Sequence, residues 1–264
     1  MNPAPVTALL LAALLAGCAT RVPEREGPRS RTPLVPALER PGLGTSWGEQ
    51  RDSWVEPAPF TRSAADRPAA VDRIYYNDRE GVNAMLDFLG GTPKECGGMQ
   101  QSAGGLLRLG VRKANGQWVE CHALRGRRFA VGDTGERYEV VVKNDARRPV
   151  EIVVSVDGLD VIDGRPASFR KRGYVLAPFE IIAVDGFRTS SATVAAFRFG
   201  SVFESYGRRR HGNTANAGLI GVAVFEEKRG APKPAPVNPE DHAWRQVGAR
   251  PPDQGRGFAV PPDA

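Results

Sequence analysis

Residues 138–158 read YEVVVKNDARRPVEIVVSVDG. In the first third Tyr138, Val140 and Val142 alternate with Glu139, Val141 and Lys143; later Val150, Ile152, Val154 and Val156 alternate with Glu151, Val153 and Ser155. Successive Cβ atoms of a strand point to opposite faces, so a period of two gives each segment one apolar side. Asp145-Ala146-Arg147-Arg148-Pro149 lies between the two strands and reads as a hairpin loop. Asp157-Gly158 and Asp163-Gly164 are turn dipeptides that break the chain after the second strand.

The same alternation continues on both sides. Leu106–Arg112, Gln117–Leu124, Arg128–Val131, Arg137–Asn144 and Val150–Val156 are predicted strands, followed by Gly173–Leu176, Glu180–Asp185, Thr193–Phe199 and Leu219–Glu226. Short strands separated by turns predict an all-β antiparallel sandwich or small barrel. Ahead of them Asn77 and Glu80 are spaced like a capping box, and Val82, Met85, Leu86 and Leu89 follow at helical spacing. Gly90-Gly91 and Pro93 stop that run, so one short N-terminal helix is expected.

Composition changes outside residues 74–228. Residues 18–73 are rich in Pro and mixed charge, as in RVPEREGPRSRTPLVPALERPG, and predict a flexible tether that cannot bury enough surface to offset its ordering entropy. Trp47, Trp54 and Phe60 interrupt it, either packing on the domain or forming a docking motif. Residues 229–264 contain APKPAPVNPE, ARPPDQGRG and AVPPDA and predict a disordered Pro-rich tail, with His242, Trp244 and Val247 as an island inside it.

At the other end Val6–Leu15, VTALLLAALL, is an apolar run far short of the ~20 residues that span a membrane. Leu15-Ala16-Gly17-Cys18 after it resembles the lipobox of bacterial lipoproteins, although no Lys or Arg precedes the run. The resemblance implies a signal peptide over 1–17 and a diacylglycerol on the Cys18 thiol, with an acylated amino group. Ala19, where that family uses Asp for inner-membrane retention, implies the outer membrane, facing the periplasm or the cell surface. The membrane is then a partner through covalent lipid. Cys96 and Cys121 remain as a pair in an oxidising compartment. A disulfide is the natural reading and two buried thiols the alternative.

Within residues 138–227, VDGLDVIDG (Val156–Gly164), GYVLAP (Gly173–Pro178), VDGFR (Val184–Arg188) and GLIGVAVFEE (Gly218–Glu227) resemble an uncharacterised family of proteobacterial proteins. That resemblance implies a β-sandwich module and carries no catalytic residues with it.

The chain has 36 Lys and Arg against 30 Asp and Glu, a formal charge of +6. This reads first as arginine bias with ordinary solubility; as a specific signal, for an exported lipoprotein, it favours anionic surfaces or acidic partners over nucleic acid. Arg208-Arg209-Arg210-His211, preceded by Tyr206, is the densest basic cluster and reads as an interaction loop or a solvated connection. Asp157, Asp160 and Asp163 supply three carboxylates but not EF-hand spacing, which makes them a weak calcium candidate beside a plain turn. No HExxH or phosphate loop occurs, and Cys121 and His122 are adjacent strand residues facing opposite sides. No cofactor is expected. The sequence therefore predicts a non-catalytic envelope component that binds an envelope protein or anionic surface. Its rivals are a carbohydrate- or peptidoglycan-binding protein using Tyr206, Trp118 or Phe187 as stacking platforms, and a hydrolase of unrecognised site.

Overall fold

The computed structural model describes residues 41–230, 247–249 and 257–262. Strands β1 (Leu43–Asp52), β2 (Val55–Glu56) and β3 (Ala70–Asn77) precede helix α1 (Arg79–Leu89). After it come β4 (Lys94–Glu95), β5 (Gln100–Ser102), β6 (Leu107–Lys113), β7 (Cys121–Leu124) and β8 (Arg127–Val131). Then follow β9 (Arg137–Asn144), β10 (Val150–Val156), β11 (Leu159–Asp160), β12 (Tyr174–Leu176), β13 (Ile181–Val184), β14 (Gly186–Arg188) and β15 (Thr193–Ser201). The short helix α2 (Tyr206–His211), β16 (Leu219–Glu226) and β17 (Val247–Ala249) complete the described elements.

These strands form two antiparallel-rich sheets packed as a sandwich, and neither closes into a barrel. The first runs β1-β15-β9-β6-β5, with β13 on β9 and β14 on β15. The second runs β2-β17-β12-β10-β16-β3-β8-β7-β4, with β11 on β10, and its parallel pairs are β3–β8 and β2–β17. Strands β9, β10 and β16 coincide with their predicted bounds. Tyr138, Val140 and Val142 face Val150, Ile152, Val154 and Val156 in one core, none more than 1% exposed.

The predicted hairpin between β9 and β10 is overturned. The two strands do not pair: β9 bonds β6, β13 and β15, whereas β10 bonds β11, β12 and β16. Residues 145–149 are an arch that carries the chain from one sheet to the other. The fully buried Asn144 closes it, accepting from Ala146 N and donating to the carbonyls of Arg148 and Ala177. An arch and a hairpin demand the same alternation, so periodicity alone does not separate them.

Order also begins earlier than position 74. The predicted tether over 18–73 contains β1, β2 and the start of β3, and β1 pairs with β15 along most of its length. Its inward residues include Thr45 and the half-buried Trp47, which leave little apolar alternation to read. Trp47 packs on Phe187 and Tyr206, while Trp54 is exposed. In the predicted tail over 229–264, β17 bridges β12 and β2, and Ala259 is buried with its N–H donating to Arg188 O. Residues 1–17, Cys18, His242 and Trp244 lie outside the described residues.

The predicted helix is α1, but its cap is Asp78, whose carboxylate accepts from Gly81 N. Asn77 instead accepts from Leu43 N and so ties the helix entrance to β1. Val82 and Leu86 of α1 pack with Leu124, Phe129 and Val131 on the outer side of the second sheet. Elsewhere on that side Phe60 packs with Val153, Val175, Ala223 and Phe225. Between these two covers a strip of sheet is left open.

Candidate functional site

The acidic cluster folds as turn chemistry. Asp157 and Gly158, at φ 54° and 78°, form the two-residue turn joining β10 to β11, where Val156 pairs with Leu159. Both positions need positive φ, which Asp tolerates and Gly adopts freely. The Asp157 carboxylate then accepts from Thr45 N (2.6 Å), Gly218 N (2.9 Å) and Tyr76 Oη (2.5 Å). Thr45 Oγ1 lies 2.7 Å from Tyr76 Oη and 2.5 Å from Tyr138 Oη, which extends a hydroxyl network into the core. Burial pushes the Asp157 carboxyl up to about 6, against the donors that favour its anion.

Asp160 accepts from Ile162 N and Asp163 N through one oxygen, while its other oxygen is buried without a partner. Burial raises its pKa, opposed by Lys171 and reinforced by Asp163. Asp163 receives Lys171 Nζ at 2.5 Å, both side chains being buried, and Arg165 N at 3.0 Å. Apart from that one Asp160 oxygen, the three carboxylates are occupied by backbone, hydroxyl and ammonium donors. They do not converge, and no group of His, Cys, Asp or Glu among the described residues has the arrangement to hold a metal. The calcium candidate is therefore corrected to a buried turn network.

The basic cluster is a helix, not a loop. Ser205 caps α2 by accepting from Arg208 N, and Gly212 ends it in the left-handed region. Arg208, Arg209, Arg210 and His211 fill its last turn, where cations complement the carbonyl end of the helix. The three arginines are exposed. Tyr206 is 1% exposed, donates to Val260 O at 2.8 Å and packs on Phe187, so it belongs to the foundation of α2 and not to its surface. His211 Nε2 lies 2.7 Å from Gly164 O, joining α2 to the segment that follows the acidic turns. Phe187 is fully buried as well, and of the three proposed sugar platforms only Trp118 reaches the surface, 37% exposed.

The open strip on the second sheet was not foreseen. It is a groove of about 370 Å³. Because Ile220, Val222 and Val224 point into the core, the alternate residues Leu219, Gly221 and Ala223 point out. Strand register places Arg73, Gly221 and Ser155 in one row across β3, β16 and β10, and Val71, Ala223 and Val153 in the next. Ala167, Ser168 and Phe169 form a wall beside them. That wall is held by Arg62, which donates to Phe169 O and Lys171 O and pairs with the buried Glu151 at 2.8 Å. Among the described residues no carboxylate or imidazole lines the groove. The one sequence signal for it was Phe169, an exposed aromatic among basic residues.

Cys96 and Cys121 are bonded, with Cα atoms 4.9 Å apart, and tie the segment after β4 to β7. Among the described residues no helix is long and apolar enough to cross a membrane. Comparison with protein-family models, curated proteins and solved structures finds no match to this chain.

Proposed function

We propose that this chain is a lipid-anchored cell-envelope protein acting as a non-catalytic binding or accessory component. Its sandwich engages a protein partner or anionic surface through α2. The observation that carries the reading is the setting of Arg208, Arg209 and Arg210, three consecutive exposed cations on a short helix pinned from beneath. Tyr206 and His211 fix that helix to residues 260 and 164, so the guanidinium groups are displayed from a rigid base. Guanidinium forks pair bidentately with carboxylate and phosphate, which suits acidic partners and anionic headgroups alike. The lipobox-like LAGC over Leu15–Cys18 supports attachment through two or more acyl chains, because one chain alone gives only reversible binding.

Crosslinking in intact cells tests both parts. The full-length chain is compared with Cys18→Ser and with Arg208, Arg209 and Arg210 changed together to Ser. The expected results are loss of membrane retention with the first, and about tenfold or greater loss of one crosslinked species, or of anionic-vesicle binding, with the second. Equal crosslinking and vesicle binding by the triple variant removes α2 from the function. Membrane retention of Cys18→Ser removes the lipid anchor.

A further inference from the structure

We propose that the groove across β3, β16 and β10 is a binding site for a single-chain amphiphile with an anionic head, of which a fatty-acid carboxylate is the type. Its volume of about 370 Å³ falls at the small end of the ~300–1,000 Å³ typical of small-molecule sites. The two rows of side chains that floor it differ in chemistry. Val71, 38% exposed, opens an apolar row whose inner end, Ala223 and Val153, runs beneath Phe60 and is 4% exposed, and Phe169, 44% exposed, stands beside the floor as an apolar wall. The adjacent row offers the Ser155 hydroxyl and the Arg73 guanidinium.

Arg73 supplies the charge argument. It is the one ionisable residue lining the groove, and its guanidinium has no hydrogen-bond or ion-pair partner among the described residues. Most other cations near that face are paired, Arg62 with Glu151 and Arg170 with Asp66. An apolar floor beside an uncompensated cation is complementary to a ligand with an alkyl body and an anionic end. Gly221 keeps the middle of the floor clear, since a Cβ there would lie 2.7 Å from Ser155 Oγ. The site shares no residue with α2, so it stands or falls separately from the function proposed above.

Titration calorimetry with dodecanoate, below its micelle concentration, tests the assignment on the folded chain. Dodecyltrimethylammonium serves as the cationic mirror. Saturable one-to-one binding of dodecanoate is expected, with none of the cation. Arg73→Glu and Val71→Asp, both at exposed positions, are each expected to weaken it by about tenfold or more without changing the melting temperature. The Arg208, Arg209 and Arg210 triple variant is expected to bind dodecanoate as the unaltered chain does. Absence of saturable binding, equal affinity for the two head groups, or indifference to Arg73→Glu overturns the proposal. So does loss of binding in the α2 variant alone, which would move the anion site to that helix.

Discussion

Asp157 shows how one residue does the work of three. Its backbone supplies the positive φ of a two-residue turn, while its carboxylate holds the N–H groups of Thr45 and Gly218. Through Tyr76 Oη it also anchors the hydroxyl network between the sheets. Burial without a cationic partner leaves its folded-state pKa at about 6, above its ordinary 3.8. The folded protein therefore binds this proton more tightly than the unfolded chain between those values, and stability rises as pH falls through that window. Glu120 acts in the opposite sense. Arg79 beside it holds it at about 2, so its contribution is present above 4.5 and is lost on further acidification. Urea melts are expected to show greater stability at about pH 5 than at about pH 7. Asp157→Asn keeps the turn but sets an amide donor against donors. It should cost about 1–3 kcal/mol at neutral pH and reduce the gain on acidification. Unaltered pH dependence in that variant would show that another group carries the effect.

At the scale of elements, the segment between β11 and β12 has little regular structure; the buried Lys171–Asp163 pair braces it from within, and the buried Arg62 ties it to the rest of the fold. Arg62 places its guanidinium over Phe225, donates to Ala65 O, Phe169 O and Lys171 O, and pairs with Glu151, which also accepts from Gly173 N. Removing one partner of such a pair leaves the other charge buried and uncompensated. Arg62→Met is thus expected to destabilise by about 3–5 kcal/mol, with Glu151→Leu in the same chain restoring much of the loss. Proteolysis should follow the single variant, with new cleavage near Arg170 and Lys171. A single variant as stable as the parent chain would mean that the ion pair holds nothing. Most strands were legible where one face alternates with apolar residues, which is why β9, β10 and β16 agree with prediction. Strand β1 was hidden because Gly44, Thr45 and Ser46 follow Leu43, and its core contribution includes a hydrogen-bonded threonine. The acidic and basic clusters were visible as composition, but burial reversed the roles of Tyr206 and the three aspartates. The groove was not legible because its floor comes from outward residues near positions 71–73, 153–155 and 219–223. Only sheet pairing brings those together.

Pairing over such distances governs the molecule as a whole. β1 pairs with β15, and β3 pairs with β16 on one side and β8 on the other, so until the last third of the chain is present β1 has no partner and β3 has only its short parallel pairing with β8. β16 is placed between β10 and β3, which makes it the central connection of the second sheet. Closure of loops this long must precede the contacts that reward it, so partial chains are poorly stabilised. A chain ending at residue 212 has β1 and its partner β15 but leaves β3 and β10 without their common neighbour. It is expected to melt without a cooperative urea transition. A chain ending at residue 230 retains β16 and should melt cooperatively. It loses β17 from between β12 and β2, the buried Ala259 and the acceptor of Tyr206 Oη, for a cost of about 1–3 kcal/mol. Near-ultraviolet circular dichroism across urea titrations separates the two. A cooperative transition in the shorter chain would mean that the first sheet folds alone, and that the sandwich is assembled in two steps.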